Sequence, residues 1–388
     1  MTKWIKKYFQ IIRRFTPKRN LIFFLLVFLT LAISCPAKAA PPSITAEAAV
    51  LMDAKTGQLY FTCSPWKRRP PASLTKIMTA LIALENDRLD SIATVTPKAA
   101  SIYAGSVLGL TAGDKLTLEN LIKAALIASA NDSTVAIAEH LAGTEDCFIE
   151  MMNIKAILLG ALNTRFANTN GYTNPNHYST AFDLAQITRF ALKNPKLAEL
   201  VRTKEAIVYW DNKKRQEIIS NTNMLVRTEA YPGIDGVKTG TTARAGNCLI
   251  ASATKKERRL IAVVLNCQNR YLDAINLLNY GFYQVKPVTF YRKGETVTHL
   301  EVKEGAKPKV AVLTAGPLTV NLAKDDLSRV KKEIKLTPDL LAPVKTNQKV
   351  GEIILSLPEQ ELARVNLVAG QEILRKSWWQ QIKEKTKF

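Results

Sequence analysis

A serine and a lysine, Ser73 and Lys76, stand three residues apart directly after Pro70 and Pro71. Two prolines favour entry into a helix, because the first helical turn does not use the N–H that they lack. Residues three apart lie on one face of a helix. A neutral lysine there could accept the proton of the serine hydroxyl, and the helix N-terminus would favour the oxyanion that follows. The pair is therefore a candidate activated nucleophile.

The Ser-x-x-Lys spacing is not specific by itself. It also occurs at Ser64, Ser252 and Ser328, each followed three residues later by a lysine. In isolation, each of these pairs is more simply explained by a solvated lysine near the start of a helix. The selection of Ser73 therefore requires evidence from elsewhere in the chain.

Two further motifs follow Ser73. Ser129 and Asn131 flank an alanine at a break between two helix-forming segments, and a Lys-Thr-Gly motif begins at Lys238 on a strand-forming segment. A second Lys-Thr-Gly, at 55–57, precedes the serine and lies in a predicted hairpin turn. Order and spacing therefore select one set of three motifs.

The segments that position these motifs predict an α+β fold. Strand-like runs open and close the region, and apolar residues at helical spacing fill the part between them. The predicted strands are Ala46–Asp53, Gln58–Phe61, Gly236–Gly240, Cys248–Thr254 and Leu260–Asn266. The predicted helices are the one at Ser73, Glu119–Ala128, Ser133–Leu141, Cys147–Leu159, Ala181–Leu192 and Ala274–Val285.

The sequence pattern changes after 285, where helical periodicity becomes rare. Short alternating runs separated by Gly or Pro predict a small all-β domain over 286–370. The tail, 371–388, is basic, and Leu374, Trp378 and Ile382 would share one face of a helix, as suits a membrane interface. A helix packed on its own domain, or a frayed end, is the alternative.

Composition excludes some classes of protein. A hydrophobic content of 47% in 388 residues excludes a disordered chain. The net charge of +21 is spread along the sequence without an arginine-rich or aromatic-basic nucleic-acid motif, so we expect no nucleic acid partner. An anionic cell wall or membrane surface fits this charge.

The N-terminus predicts export. A basic region precedes an apolar run, Leu21–Ser34, and small residues at Ala37 and Ala39 suit signal peptidase. We expect a signal peptide over 1–39 and a location at the outer face of the cytoplasmic membrane, in the wall space or periplasm. Lipoprotein processing at Cys35 is the alternative.

Four cysteines remain after the signal. Cys248 and Cys267 fall on the two runs of a predicted hairpin, so either a disulfide or two small buried thiols is expected there; Cys63 and Cys147 have no assigned partner. With no Cys-x-x-Cys motif and three histidines in the chain, no metal site and no cofactor are expected.

At this point the sequence resembles the low-molecular-mass penicillin-binding proteins, the serine-type D-alanyl-D-alanine carboxypeptidases, which carry the same trio of motifs. The resemblance extends over about 42–285. It implies a β-lactamase/transpeptidase-like catalytic domain, a sheet with a helical subdomain, over 40–285. Five further segments also resemble the family: Asp53–Gly57, Asn153–Gly160, Phe166–Gly171, His177–Ala185 and Lys238–Gly246.

The resemblance implies a role for each motif. Ser73 attacks the carbonyl of a terminal D-Ala–D-Ala bond in a peptidoglycan stem peptide, and Lys76 is the general base, kept neutral by burial and by Lys238. Ser129 relays a proton to the leaving amine, and Asn131 holds Lys76 and the substrate amide. β-Lactam antibiotics acylate the same serine.

The third motif and its surroundings are assigned to substrate binding. The Lys-Thr-Gly strand, ending in Gly240, lies along the substrate; the N–H groups of Ser73 and Thr241 would bind the oxyanion. Thr239 and Arg270 would bind the free carboxylate. Arg270 rests on a short match at 269–273.

Other functions fit parts of the pattern. A β-lactamase or a D,D-endopeptidase could use the same scaffold, but a class A β-lactamase would carry a glutamate just before Leu162 and Asn163, and none stands there. A non-catalytic wall-binding or penicillin-sensing protein would be favoured by a lost motif residue, and none is lost.

Overall fold

The protein is described by a computed structural model over residues 41–85 and 88–379. The predicted signal peptide with Cys35 lies outside the described residues, and so do the last residues of the predicted tail, 380–388. In the described part of the chain no helix is long and apolar enough to cross a membrane.

A five-stranded antiparallel sheet carries the first part of the fold. Its strand order is β2-β1-β9-β8-β7, so the first hairpin lies at one edge and the strand with the Lys-Thr-Gly motif at the other. The strands are β1 Ala48–Asp53, β2 Leu59–Cys63, β7 Ile234–Thr242, β8 Gly246–Lys255 and β9 Arg258–Cys267.

The sheet is covered on both faces. All six residues of β1 are buried, because successive side chains alternate between two hydrophobic cores: Val50 packs with the large helical block and Leu51 with the opposite side. Helix α9, Arg270–Asn279, covers that opposite side through Leu277 and continues as a π-helical turn, Tyr280–Gln284.

The helical block forms the other layer. Its helices are α1 Lys76–Leu84, α2 Pro97–Ala100, α3 Leu118–Lys123, α4 Asn131–Ala142, α5 Glu145–Leu158, α6 Ala181–Ala191, α7 Pro195–Arg202 and α8 Met224–Thr228. Two small two-stranded antiparallel sheets complete it: β3 Ile92–Thr94 with β4 Lys115–Thr117, and β5 Glu205–Tyr209 with β6 Gln216–Ser220.

The all-β region is built from the strands β10 Lys286–Tyr291, β11 Thr296–Glu301, β12 Lys309–Thr314, β13 Leu318–Leu322, β14 Lys331–Leu336, β15 Lys349–Leu357 and β16 Gln360–Ala369. β10 pairs with β13, and the other five form a sheet ordered β11-β12-β16-β15-β14. The side chain of Gln360 joins this region to the edge strand β2, because it bonds both the N–H and the C=O of Leu59, at 2.8 and 2.6 Å.

The fold corrects the prediction for the tail and decides between the two alternatives for Cys248 and Cys267. The tail is not helical from 371: Ile373 bridges Val344 in an extended conformation and is buried in the β region, and Arg375 bridges Gly305. The disulfide between Cys248 and Cys267 is absent, and both are free thiols. Cys267 pairs in register with Asn247, so the two sulfurs lie in cores on opposite faces of the sheet.

Candidate active site

The site begins at a tight turn that delivers Ser73. Ala72–Thr75 forms a 3-10 turn that leads directly into α1, and Ala72 itself has a positive φ of 49°. Such a conformation is unfavourable for a residue with a Cβ. Gly171 backs the turn so closely that a Cβ there would lie 1.8 Å from the carbonyl oxygen of Ala72.

Lys76 is the most buried charged residue of the site. It has no exposed surface, and its Nζ lies 2.9 Å from Ser73 Oγ, 2.6 Å from Asn131 Oδ1 and 3.0 Å from the carbonyl oxygen of Asn170. The geometry thus brings together the base and nucleophile that the sequence predicted and adds Asn170, whose backbone role has no side-chain signature in a sequence.

The electrostatics of the site favour a neutral Lys76. Burial, and next the charge of Lys238, hold the pKa of the Lys76 ammonium well below its ordinary value, while Asp132 acts in the opposite direction. A lysine whose pKa is lowered this way can accept a proton near neutral pH.

Ser129 and Asn131 reach the cleft through an irregular junction. The π-helical turn Ala124–Ala128 ends at Ser129, which has a φ of 65°, and α4 begins two residues later at Asn131. Ser129 and Asn131 both line the cleft. The Asn131 Nδ2 donates to the carbonyl of Ala104 at 2.7 Å, so this amide holds Lys76 on one side and a loop on the other.

Strand β7 forms the opposite wall. Lys238 is 1% exposed and donates to the carbonyl of Thr239 at 3.2 Å and to the Thr222 hydroxyl at 3.4 Å. Burial, with a smaller effect from the charge of Arg270, lowers the pKa of Lys238 to about 7. Thr239 also donates to Thr222, at 2.8 Å, and no sequence motif marks Thr222 as part of the site.

Gly240 allows the strand to approach the nucleophile. A Cβ at this position would lie 3.0 Å from the carbonyl oxygen of Pro71 and 3.1 Å from the backbone nitrogen of Ser73. Because β7 is an edge strand, its outward backbone groups are available to a substrate. The absence of a side chain at Gly240 therefore keeps the strand backbone close to the Ser73 backbone nitrogen, as an oxyanion site built from both segments requires.

Arg270 lies behind this wall rather than in it. Its Nη1 donates to Thr241 Oγ1 at 2.8 Å, to the Gly240 carbonyl at 3.1 Å and to the Cys248 carbonyl at 3.3 Å. It does not line the cleft in the described residues. Thr241 does, so the arginine can act on an anion there through the hydroxyl that it holds and through its charge.

The cleft between these walls has a volume of about 390 Å³. Besides the predicted residues it is lined by several that sequence reasoning did not assign: Gly105, Ser106, Asn170, Gly171, Tyr172, Thr173, Thr222, Thr242 and Ala243. Serine, threonine and asparagine side chains make up much of this lining, as suits a peptide with a free carboxylate. No cluster of His, Cys, Asp or Glu in the described part of the chain could hold a metal ion.

The competing Ser-x-x-Lys pairs have other partners. Ser252 Oγ bonds Asp235, and Lys255 bonds the hydroxyls of Tyr231 and Tyr283. The Lys67 ammonium pairs with Glu47, and the contact of Lys67 with Ser64 is between backbone groups, since the Lys67 N–H donates to the Ser64 carbonyl at 3.0 Å. The third serine, Ser328, donates its hydroxyl to the Asp325 carbonyl at 3.3 Å, and none of the three pairs shows among the described residues the side-chain contact seen between Ser73 and Lys76.

Comparison with known proteins gives two family matches. A family described as D-alanyl-D-alanine carboxypeptidase matches residues 36–269, and the penicillin-binding protein 5, C-terminal domain, matches residues 286–375. The chain is 35% identical over 340 residues to D-alanyl-D-alanine carboxypeptidase DacF of Bacillus subtilis, covering 86% of each chain. It is 32% identical over 368 residues to DacC of Escherichia coli, covering 90% of each.

Solved structures agree with these relatives. The D-alanyl-D-alanine carboxypeptidase DacD of Francisella tularensis superposes with a TM-score of 0.71 at 27% identity, covering 87% of this chain and 96% of that one. Penicillin-binding protein 5 of Haemophilus influenzae superposes with a TM-score of 0.65 at 29% identity, covering 87% and 100%.

Proposed function

The chain belongs to the D-alanyl-D-alanine carboxypeptidase family, and from that premise we propose that Ser73 is its acylated nucleophile and Lys76 the base that activates it. The protein is a penicillin-binding serine D,D-carboxypeptidase of peptidoglycan. The observation that carries the assignment of residues is the 2.9 Å contact between Ser73 Oγ and Nζ of a fully buried Lys76.

Acylation uses the two walls of the cleft. Ser73 Oγ attacks the carbonyl carbon of the terminal D-Ala–D-Ala bond while Lys76 takes the hydroxyl proton, and the backbone N–H groups of Ser73 and Thr241 bind the oxyanion. The proton passes from Lys76 through Ser129 to the amine nitrogen as the C–N bond breaks. The free D-Ala departs, and the rest of the peptide remains as an ester on Ser73.

Deacylation returns the enzyme. A water adds to the ester carbonyl, its proton goes to neutral Lys76, and the C–O bond to Ser73 breaks as Lys76 reprotonates the serine oxygen. The shortened stem peptide leaves with a carboxyl terminus. A β-lactam opens at its amide bond on the same serine.

Lys238, Thr239 and Thr241 recognise the substrate carboxylate in this proposal. Thr239 and Thr241 line the cleft and Lys238 is buried just behind Thr239. Arg270 keeps Thr241 in place and adds positive charge. Asn131 binds the substrate amide with whatever hydrogen-bonding capacity its contact to Ala104 leaves free.

The geometry does not favour β-lactamase action. Near the position where class A enzymes have their glutamate, Asn163 donates its N–H to Asp183 Oδ2 at 2.8 Å, and the same oxygen accepts from the Thr164 hydroxyl. Asp183 is buried in that network and does not line the cleft. We therefore expect slow hydrolysis of the penicilloyl ester.

The rest of the organisation is part of the proposal. A signal peptide, 1–39, exports the enzyme; 40–285 is catalytic, and 286–370 is the β domain that carries the tail. Trp378 and Trp379 are 64% and 70% exposed, with ring centroids 4.7 Å apart, and they are followed by a basic stretch of sequence. Exposed tryptophans beside lysines favour contact with an anionic membrane surface.

The nucleophile is tested with residues 40–388, a fluorescent penicillin and a peptide ending in D-Ala–D-Ala. We expect one long-lived label per chain and release of one D-Ala per peptide. Ser73→Ala removes the label, and the matched variant Ser64→Ala retains it. A label that survives Ser73→Ala, or penicillin turnover without D-Ala release, contradicts the proposal.

The tail is tested separately with vesicles containing an anionic phospholipid. Because Ile373 belongs to the β-domain core, the truncation removes only 378–388. We expect the truncated protein, and the variant Trp378→Ser with Trp379→Ser, to stay in the supernatant while the intact protein sediments. Equal sedimentation would exclude the tail as the membrane contact and leave the catalytic assignment untouched.

A further inference from the structure

Asp132 is a buried carboxylate that the acylation scheme leaves unused. It directly follows Asn131 in α4 and is 1% exposed. Its Oδ1 accepts the backbone N–H groups of Leu108 and Ser133, at 3.0 and 2.8 Å, and its Oδ2 accepts that of Leu110 at 3.1 Å. No ion pair reaches this carboxylate among residues 41–85 and 88–379. Burying a carboxylate without a direct counterion costs free energy of folding, so the buried position of Asp132 requires an explanation.

The loop that Asp132 holds is a wall of the cleft. Gly105 and Ser106 line the cleft, and the carbonyl oxygen of Ser106 accepts the backbone N–H of Asn131 at 2.8 Å. The carbonyl of Ala104 accepts the Asn131 side chain. The loop 104–110 is thus tied to Asn131 at its start and to Asp132 at its end, and Asn131 in turn contacts Lys76.

The charge of Asp132 also acts on Lys76. Two charges affect the pKa of this lysine: Lys238 from β7 lowers it further below the level set by burial, and Asp132 from α4 raises it. Other titratable groups nearby have partners of their own. His177 bonds Thr75, and Glu145 pairs with Lys98 and bonds Thr169.

The loop 104–110 also contacts a cation, Arg215. Arg215 donates to the carbonyls of Leu108 and Gly109, both at 3.3 Å, and pairs with Glu217. Arg215 therefore faces the carbonyl side of the same loop whose N–H groups face Asp132.

We propose that Asp132 is a positioning residue for acylation, which fixes the 104–110 loop against Asn131 and supplies the negative charge that balances Lys238 at Lys76. The inference rests on the proposed function, because it assumes that neutral Lys76 is the base. It goes further, because it assigns the pH at which the enzyme becomes active to a residue outside the three motifs.

The test measures the second-order rate constant of acylation by a fluorescent penicillin across pH. The acidic limb of that profile reports the deprotonation of Lys76 in the free enzyme. In Asp132→Asn the cation at Lys76 loses its stabilising charge, so the limb moves to lower pH. The plateau falls by about ten- to a hundredfold, because the loop and Asn131 are less well held.

A matched control separates charge from structure. Asp114 has a fully buried side chain at the other end of the same region, where it accepts from the Thr111 N–H and the Trp210 indole, but it has its own cation, Lys213. Asp114→Asn disturbs the region without removing charge from Lys76, so its acidic limb stays at the wild-type pH. Asp132→Glu keeps the charge, and its limb also stays.

Each result decides a different question. An Asp132→Asn limb that stays in place or moves to higher pH overturns the role of Asp132. A wild-type profile with no acidic limb overturns instead the proposal that Lys76 is the base. If Asp132→Asn does not fold, Asp132→Ser removes the same charge with a smaller side chain and must give the same shift to lower pH.

Discussion

The two folded regions of this protein differ in the side chains that they bury and in the backbone conformations that they hold. In the catalytic region the buried residues include Lys76, Lys238, Asp132 and His177, and two buried non-glycine residues have positive φ. In the described β domain, 286–375, Thr314 is the one buried polar side chain, the core is aliphatic, and the residues with positive φ lie exposed in turns.

This difference indicates where each region is under constraint. Burying charge and holding the backbone in a disfavoured conformation both cost free energy of folding, and such features concentrate at functional sites. The β domain has neither, and its ion pairs, such as Arg364 with Glu361 and Arg375 with Glu304, are exposed. Activity and stability should therefore respond to substitutions in different regions.

Lys76→Met should give the largest effect. The variant removes the proposed base, so acylation should fall by about 10³-fold, within the range for loss of a general base. The melting temperature should stay equal or rise, because an apolar side chain of similar length replaces a polar amine at a fully buried position. Stopped-flow acylation and calorimetry measure the two quantities; Lys255→Met, at the end of β8 and outside the cleft lining, is the control and should acylate normally. A large fall in the melting temperature of Lys76→Met would contradict the expectation that activity and stability respond to substitutions in different regions.

Leu355→Ala makes the opposite change in the β domain. Leu355 has no exposed surface and lies in the aliphatic core of this domain. Loss of its side chain should lower the free energy of unfolding of the domain by about 2 to 5 kcal/mol. Chemical denaturation measures this loss, and the acylation rate of the folded protein should be unchanged. An acylation rate that falls with stability would show that the two regions are not separable in this way.

His177 gives the catalytic region a pH-dependent stability. Its Nδ1 accepts the Ala167 N–H at 3.1 Å, and its Nε2 lies 2.8 Å from Thr75 Oγ1, which donates to the Ala72 carbonyl at the nucleophile turn. Burial lowers the pKa of His177 to about 4. Between pH 4 and 6.5 the unfolded chain binds this proton and the folded chain does not.

Stability should therefore rise with pH across that window, by at most about 3 kcal/mol for this group, and be constant with respect to it above 6.5. Denaturation of wild type and His177→Gln at a series of pH values measures the difference between them. The variant should be less stable at pH 7 but show a shallower slope, and subtraction removes the contribution of other groups. Parallel slopes would exclude His177 as their source.

Much of the fold and of the candidate site can be predicted from the sequence, and there are physical reasons why the rest cannot. The motifs at Ser73, Ser129 and Lys238 are defined by side-chain type, so spacing and order identify them. Asn170 contributes a carbonyl, which every residue has. Thr222 becomes a partner of Thr239 only when distant segments pack together.

Local periodicity failed where tertiary contacts decide the conformation. The tail has a helical apolar pattern, but burial of Ile373 against Val344 holds that part extended. Of the two alternatives for Cys248 and Cys267, the structure has the buried thiols, because a bulge between Asn247 and Leu249 shifts the register by one residue and places the sulfurs on opposite faces. A single extra residue in one strand reverses the face that the following side chains take, so pairing counted without it puts both sulfurs on one face.

Gln360→Ala tests the junction of the two regions and should have the smallest effect. The Gln360 amide bonds both backbone groups of Leu59 at the edge of β2, as a neighbouring strand would. Its loss should reduce the free energy of unfolding by about 1 to 2 kcal/mol, since two hydrogen bonds are lost and water can reach the exposed edge.

The more informative readout for Gln360→Ala is the shape of the unfolding transition. With this contact removed, the aliphatic β domain and the catalytic region with its buried ionisable residues should unfold in two steps that calorimetry separates. Gln348→Ala, whose side chain accepts from the Lys345 N–H within its own turn, is the matched control and should leave the transition unchanged. A single unaltered transition in Gln360→Ala would mean that the contrast in composition does not extend to independent stability.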